Sequence, residues 1–152
     1  MIELRKAKLF DIPAMQELVK DKVADGTILK REDDEVATNI RSYVLAFMGD
    51  ELIGYGALHI HSITLAEIRS LIVKQSARGK GVGKKIVEYC INEAKELGVK
   101  EILVLTYIEE FFKKLGFKQI EKEEIPEHKI WLDCIKCIHF PVCNEKSLIY
   151  KV

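Results

Sequence analysis

Three glycines lie close together in the segment 75–84 (QSARGKGVGK), between an apolar strand pattern and a long amphipathic helix pattern. Glycines at this spacing let the backbone turn sharply and approach a ligand, and the unpaired N–H groups at the start of the helix then point toward that ligand. The positive end of the helix and the neighbouring basic side chains favour an anion such as a pyrophosphate. The candidate binding residues are Arg78, Gly79, Lys80, Gly81, Val82, Gly83 and Lys84.

Two well-known phosphate loops do not fit this segment. A Walker loop requires Ser or Thr after its Gly-Lys pair, whereas Gly83 and Lys84 are followed by Lys85, which offers no hydroxyl to magnesium. A dinucleotide-binding fold places its turn after the first strand of a βαβ unit, whereas this turn comes in mid-chain, after a hairpin. The remaining alternative is a glycine-rich turn whose lysines are only solvated.

The rest of the chain alternates between strand and helix patterns. We predict strands at 2–6, 43–48, 51–61, 64–73, 101–106, from 117 and at 130–133. We predict helices from the cap Asp11 to Gly26, at 32–42, at 81–97 and from the cap Thr106 to Gly116. The two strands that flank Gly49-Asp50 read as a β-hairpin. This order describes an α/β domain with helices flanking a mixed sheet, and such a sheet offers a crevice.

Local capping signals mark the ends of three predicted helices. Asp11 is expected to cap the first helix, and Thr106 with Glu109 to form a capping box for the short helix near residue 110. Gly98 is placed to end the long helix. That helix has apolar residues at helical spacing, namely Val82, Ile86, Val87, Cys90, Ile91 and Ala94.

Composition narrows the class of protein. The 152 residues suit a single domain, 1–152, and the 24 basic side chains balance the 24 acidic ones, so we expect no nucleic acid and no membrane surface as partner. The N-terminus lacks the apolar run of a signal peptide, and no stretch approaches the roughly 18 apolar residues of a membrane span. A cytoplasmic location is therefore expected.

Two charged residues interrupt the apolar strand that precedes the glycine turn. By strand alternation, Glu67 and Arg69 are expected on the same face as Leu71 and Val73. The two charges could pair with each other or lie at a solvated end of the sheet. Alternatively, the carboxylate could serve as a base, because an amine is mostly ammonium at neutral pH and cannot attack a thioester until it loses a proton.

The segment RGKGVG resembles the Gln/Arg-x-x-Gly-x-Gly/Ala motif of the GNAT acetyltransferases, and IRSLIVKQSARGKGVG, EILVLT and FFKKLGF are similar to the family's successive core motifs. The resemblance covers nearly the whole chain and implies a mixed, mostly antiparallel sheet. It also implies acetyl-CoA as cosubstrate, with its pyrophosphate on the glycine turn and its pantetheine arm along the backbone of Ile72 and Val73. By the same resemblance, Glu67 occupies the position of the base.

One residue departs from the family pattern. The family usually places a tyrosine on the short helix to protonate the leaving thiolate, and this chain has Phe112 there. Tyr107 is close in sequence but is equally well explained as a packing residue. A thiolate is a tolerable leaving group without an acid, so the reaction class survives the substitution.

The chain also resembles the short N-acetylglutamate synthases of arginine biosynthesis. The resemblance lies in four segments, namely AEIRSLIV, EILVLT, FFKKLGF and the late cysteine segment. L-Glutamate requires cations for two carboxylates, and arginine can hold a carboxylate through two parallel hydrogen bonds. This resemblance implies a small-molecule amine substrate and leaves a homodimer open as a possible assembly. The candidate acceptor-binding residues are Lys30, Arg31, Arg69, Ser70, acting through its backbone, and Lys136.

Three of the four cysteines crowd into the C-terminal segment, whereas Cys90 falls on the apolar stripe of the long helix and is expected in the core. The segment could bind zinc, fold over the acceptor site as a lid with reduced thiols, or simply pack. Its weak candidate metal ligands are Cys134, Cys137, His139 and Cys143, and no metal is predicted. The remaining histidines, His59, His61 and His128, have no spacing that indicates a role.

Acetyl transfer from acetyl-CoA to the α-amine of a free amino acid, glutamate first, is the reaction that these features favour. Acetylation of a protein amine or a polyamine is an alternative within the same class. Two alternatives lie outside enzymes altogether: a catalytically silent acyl-CoA sensor, and an interaction module of the same fold held together by zinc. The silent alternative stays open because Phe112 stands where the family usually has a tyrosine.

Overall fold

A computed structural model describes residues 1–121, 124 and 146–152. The predicted strand at 130–133 lies outside these residues. The described helices and strands are, in chain order, β1 (Ile2–Lys6), α1 (Ile12–Ala24), α2 (Asp33–Thr38), β2 (Tyr43–Met48), β3 (Glu51–Ile60), β4 (Leu65–Val73), α3 (Val82–Leu97), β5 (Glu101–Thr106), α4 (Glu109–Lys114), β6 (Lys118–Ile120) and β7 (Lys146–Lys151).

The described strands form one twisted sheet in the order β1-β2-β3-β4-β5-β7-β6. Strands β4 and β5 run parallel, and each other neighbouring pair is antiparallel. The parallel pair is joined through α3, since parallel neighbours need a crossover connection. The fold class expected from the sequence, a mixed and mostly antiparallel sheet flanked by helices, is therefore confirmed.

Helix α3 covers one face of the sheet with the apolar stripe that its sequence predicts. All six stripe residues are buried, and Ile86, Val87 and Cys90 are fully inaccessible to solvent. Burial of each such Ile or Val side chain contributes about 1.5–3 kcal/mol. Helices α1 and α2 contribute to a second core cluster, with Met15, Val19 and Val36 buried among residues of β2 and β3. The sheet thus lies between two apolar layers.

Two of the three predicted caps lack the expected side-chain bond, although Asp11 does occupy the N-cap position of α1. The Asp11 carboxylate accepts bonds from the Lys8 backbone N–H at 2.8 Å and from the Arg5 guanidinium, and it makes no capping bond to α1. Strand β5 extends through Thr106, whose hydroxyl accepts from the Ile108 N–H at 3.0 Å, so α4 begins three residues later without the expected box.

Gly98, the third capping prediction, ends α3 in the left-handed conformation as expected. The helix predicted at 32–42 is shorter than expected: α2 ends at Thr38, and a separate 3-10 turn follows at Ile40–Ser42.

Candidate functional site

A cavity of about 710 Å³ opens where β4 and β5 separate. The described pairs between these strands run only from Leu65 opposite Glu101 to Glu67 opposite Leu103. Beyond them, the cavity takes its lining from the second half of β4, the glycine turn, the start of α3, the end of β5, α4 and the loop after α1. The cavity therefore adjoins both the predicted anion-binding turn and the predicted base.

The glycine turn forms one end of the cavity. Gly79 and Gly81 have φ values of +84° and +79°, the left-handed region that favours glycine, and Gly81 directly precedes α3. The first turn of α3 therefore presents its N–H groups at the cavity, beside the side chains of Arg78 and Lys84, which also line it. Of the predicted turn residues, Lys80 is absent from the cavity lining in the part of the chain that the structure describes.

Ile72 and Val73 also line the cavity. They pair with Tyr55 and Gly54 of β3, so one edge of β4 is bonded within the sheet and the opposite edge faces the opening toward β5. An extended ligand can hydrogen-bond to such an edge as an added strand does. The position of these two residues is compatible with the predicted pantetheine contact.

A β-bulge in β4 changes which side chains share a face. Arg69 pairs with Ala57 and Ile72 with Tyr55, so β4 has one residue more than β3 over this stretch, and Ser70 within it has φ +58°. The extra residue reverses the alternation. Leu71 and Val73 pack with the α3 core cluster, whereas Ile72 belongs to the cluster of α1 and α2. The prediction that Glu67 and Arg69 share a face with Leu71 and Val73 is therefore wrong.

Glu67 lines the cavity although its side chain is only 3% exposed. Its Oε1 lies 2.8 Å from Nε2 of His61, whose side chain is fully buried, and the His61 ring stands edge-on to that of His59 at 4.7 Å between centroids. Sequence reasoning found no role for His61. The available signal was the pairing of β3 with β4. Its register sets His59 opposite Glu67, and His61 lies two residues after His59 and so on the same face.

The loop after α1 and the bulged strand β4 each contribute one arginine to the cavity lining. Arg31 and Arg69 both line it, and Arg31 is 9% exposed and donates from Nη1 to Glu35 Oε2 at 2.8 Å. Burial raises the pKa of Tyr43, while the positive charges of Arg31 and Arg69 act on it in the opposite direction. Ser70 also lines the cavity.

The other predicted acceptor residues are located differently. Lys30 is 69% exposed, lies 3.3 Å from Glu32 and is not part of the cavity lining among the described residues. Lys136 lies outside the described residues, as do Cys134, Cys137, His139, Cys143 and His128. The loop residues Gly26, Thr27, Ile28 and Leu29, which the sequence did not single out, line the cavity beside Arg31.

The aromatic residues near the end of β5 differ in exposure. Phe112 is 2% exposed and packs edge-on against Phe111 and Phe117 at 5.0 and 5.3 Å between centroids. Tyr107 is 42% exposed and lines the cavity together with both phenylalanines of α4. Phe112 thus offers an apolar wall and has no group that can donate a proton.

Cys90 is buried as predicted, and burial raises the pKa of its thiol to about 12. Within residues 1–121, 124 and 146–152, no group of three His, Cys, Asp or Glu side chains is arranged to hold a metal ion. In the same residues, no helix combines the length and apolarity needed to cross a membrane.

Three comparisons bear on sequence relatives. The sequence profile of the acetyltransferase (GNAT) family matches residues 8–117. Over 146 residues the chain is 37% identical to an uncharacterized N-acetyltransferase from Chlorobaculum tepidum, covering 96% of this chain and 94% of that one. Over 121 residues it is 32% identical to an amino-acid acetyltransferase from Mycobacterium tuberculosis, covering 78% of this chain and 69% of that one.

Two solved structures share the fold. The N-acetylglutamate synthase from Neisseria gonorrhoeae, complexed with coenzyme A and N-acetyl-glutamate, superimposes with a TM-score of 0.87 at 22% identity. The match covers 99% of this chain, which spans about a third of that synthase, 35% of its length. A Mycobacterium tuberculosis protein in complex with CoA superimposes with a TM-score of 0.85 at 24% identity over 99% of both chains. The chain therefore belongs to the acetyltransferase (GNAT) family, whose enzymes use acetyl-CoA as cosubstrate, and this confirms the enzyme class and cosubstrate expected from the sequence.

Proposed function

We propose that this protein transfers an acetyl group from acetyl-CoA to the α-amine of a free amino acid, with L-glutamate as the acceptor. The observation that carries this proposal is the shared cavity: residues of the glycine turn line it together with Glu67, Arg31 and Arg69. A donor and an acceptor bound in one cavity can react directly, because their reacting atoms are held together without a covalent enzyme intermediate.

The donor would lie along β4. Its pyrophosphate would accept bonds from the N–H groups at the start of α3, with Arg78 and Lys84 nearby, and its pantetheine arm would follow the backbone edge of Ile72 and Val73. This arrangement directs the thioester toward the acceptor end. The predicted contribution of the exposed Lys80 is then restricted to long-range attraction of the phosphates.

The acceptor amine must lose a proton before it can attack. Glu67 accepts that proton, directly or through one water molecule, and the neutral nitrogen then forms a bond to the thioester carbonyl carbon. The carbon–sulfur bond then breaks and CoA leaves as its thiolate, while the nitrogen loses its second proton, which ends on the sulfur through solvent; no acid is needed at the position of Phe112. Tyr107 lines the cavity, and its phenol is a candidate donor for a later proton transfer to sulfur.

The choice of glutamate rests on charge. Arg31, which is paired with Glu35, and Arg69 place two guanidinium groups in the cavity lining, and two positive charges suit a dicarboxylate better than a polyamine or a lysine side chain. The names of the Mycobacterium and Neisseria relatives, an amino-acid acetyltransferase and an N-acetylglutamate synthase, support the same class of acceptor. Lys136 remains a predicted second carboxylate contact.

Several broader expectations accompany this proposal. A role in arginine biosynthesis follows if glutamate is the acceptor. We further propose that residues 1–152 act as one acetyltransferase domain in the cytoplasm, with a homodimer as a possible assembly. Zinc binding, a lid over the acceptor site and plain packing remain three alternatives for the cysteine segment, which lies outside the described residues.

Thiol release from acetyl-CoA tests the proposal. The protein is incubated with acetyl-CoA and, separately, with L-glutamate, L-aspartate, L-glutamine, spermidine and a lysine-containing peptide, and free CoA is followed with a thiol reagent. L-Glutamate is expected to give the highest kcat/KM. A preference for spermidine or the peptide would refute the amino-acid assignment, and release with none of them would favour the silent sensor.

Glu67→Gln tests whether Glu67 is the base. The amide keeps the shape of the side chain but cannot take up the proton, so kcat at pH 7 is expected to fall by roughly 10²-fold or more, with an unchanged Kd for acetyl-CoA. The loss should shrink as the pH rises, because more of the amine is then neutral. Wild-type turnover at pH 7 would remove Glu67 from the mechanism.

A further inference from the structure

A buried histidine lies directly behind the proposed base. His61 Nε2 is 2.8 Å from Glu67 Oε1, and the exposed fractions of the two side chains are 0% and 3%. Because an ionised carboxylate can only accept hydrogen bonds, Nε2 must carry the hydrogen whenever Glu67 is ready to take up a proton. His61 thus acts as the donor in the state of the site that precedes the reaction.

His61 lies in the turn that connects β3 to β4, the strand that carries Glu67. The His61 backbone N–H donates to the Leu65 carbonyl at 2.9 Å across the turn, and its ring packs edge-on against the ring of His59. Glu67 is itself paired in the ladder with His59. The donor and the carboxylate therefore belong to one rigid unit, and the bond between them fixes the rotation of the carboxylate plane.

We infer that His61 is a positioning residue: its Nε2–H group holds Oε1 of Glu67 and so orients the carboxylate toward the amine in the cavity. This inference rests on the proposed function, since it assigns His61 a role only through Glu67 as base. A hydrogen bond to a charged group matters most where water is excluded, and here both side chains are almost completely buried.

The test compares His61→Leu with His61→Gln. Leucine removes the donor, whereas glutamine can present an amide N–H group to Oε1. We expect kcat with L-glutamate to fall by about 10- to 100-fold in His61→Leu, to recover by at least about 5-fold in His61→Gln, and the Kd for acetyl-CoA to stay within about 2-fold in both. Equal loss in both folded variants, or wild-type kcat in His61→Leu, would overturn the inference.

A double-mutant cycle with Glu67→Gln decides whether His61 acts through the base. If it does, adding His61→Leu to Glu67→Gln should lower kcat by less than about 2-fold, because the orientation of a group that cannot accept the proton no longer matters. Multiplicative losses would assign His61 a separate role and contradict the inference. If Glu67→Gln alone is fully active, the proposed base is wrong, and that outcome is distinct from failure of the His61 assignment.

Loss of stability is controlled with Cys90→Ala. Cys90 is as deeply buried as His61 but belongs to the core under α3, away from the cavity lining described above. Truncating it should lower Tm without changing kcat at a temperature well below the melting transition. A His61→Leu variant that loses kcat while its Tm is no lower than that of Cys90→Ala supports positioning, whereas parallel loss of kcat in Cys90→Ala would attribute the defect to general destabilisation and refute it.

Discussion

The glycine turn permits a test in which strain and binding are separated by two matched substitutions. Gly81 precedes α3 and Gly98 follows it, with φ values of +79° and +89°. Among the described residues, apart from its own chain neighbours, a Cβ atom added at either would meet no heavy atom within 4 Å. Alanine at either position therefore adds no clash. It adds only the cost of holding an L-residue in the left-handed region, about 1–2 kcal/mol.

The two variants should consequently lose similar stability but differ in binding. For a chain of this size, that cost corresponds to a fall in Tm of about 2–8 °C in each variant. Relaxation of the strain at Gly81→Ala would turn the first N–H groups of α3 away from the pyrophosphate. Loss of one hydrogen bond to a charged group then raises the Kd for acetyl-CoA by about 10- to 100-fold. Gly98→Ala lies outside the described cavity lining and should bind acetyl-CoA normally.

Isothermal titration calorimetry with acetyl-CoA and thermal melts of the same preparations provide the two measurements. If Gly81→Ala loses stability as Gly98→Ala does but keeps the wild-type Kd, the turn does not hold the donor and the argument from its backbone geometry fails. Equal weakening of binding in both variants would instead attribute the effect to general destabilisation of α3.

Two further predictions concern stability and thiol reactivity. Hydrogen bonds from Arg5 are the largest cause that lowers the pKa of Asp11, so their contribution is present above pH about 4 and is lost as the pH falls through the lowered pKa. Asp11→Asn should lower the free energy of unfolding by about 1–2 kcal/mol at pH 7, a value reduced for solvent screening because Arg5 is 40% exposed. In urea melts, the difference in unfolding free energy between wild type and variant should disappear below pH about 4. A difference that does not change with pH would contradict the argument. Cys90, whose pKa is raised to about 12 by burial, should react with iodoacetamide at pH 8 about 100-fold or more slowly in native than in urea-unfolded protein, as peptide mapping would measure. Similar rates would refute its placement in the core.

The parts of the fold that follow from local signals were predictable. The apolar stripe of α3, its terminal Gly98 and the hairpin around Gly49-Asp50 each depend on residues a few positions apart, and the structure reproduces them. The glycine turn was predictable for the same reason, because a strand, closely spaced glycines and a helix determine its geometry locally.

The two caps that lack the expected side-chain bond show where local signals fail. Asp11 has the right chemistry for a cap, but Arg5 from β1 offers its carboxylate two charge-assisted bonds at 2.8 and 2.9 Å, which compete with a bond to one helical N–H group. Thr106 and Glu109 have the right spacing for a box, but pairing with Lys146 of β7 keeps Thr106 extended. In both cases a partner outside the helix being capped decides the outcome.

The bulge in β4 decides which side chains lie beside Glu67 and Arg69, the charges of the proposed acceptor site. These charges could therefore be found from the sequence, whereas the face that their neighbours occupy could not. Strict alternation extends the face of Glu67 and Arg69 to Leu71 and Val73, whereas the extra residue opposite Gly56 moves those two to the α3 side. A Cβ at Gly56 would approach Ile86 Cγ2 to 2.9 Å, so only glycine permits this close packing of the bulged strand pair against α3. Gly56 in an otherwise apolar strand is therefore the sequence signal for the bulge. In the proposed function the donor binds along the backbone of Ile72 and Val73 and the acceptor beside Glu67 and Arg69, so the bulge lies between the two proposed binding positions in one cavity.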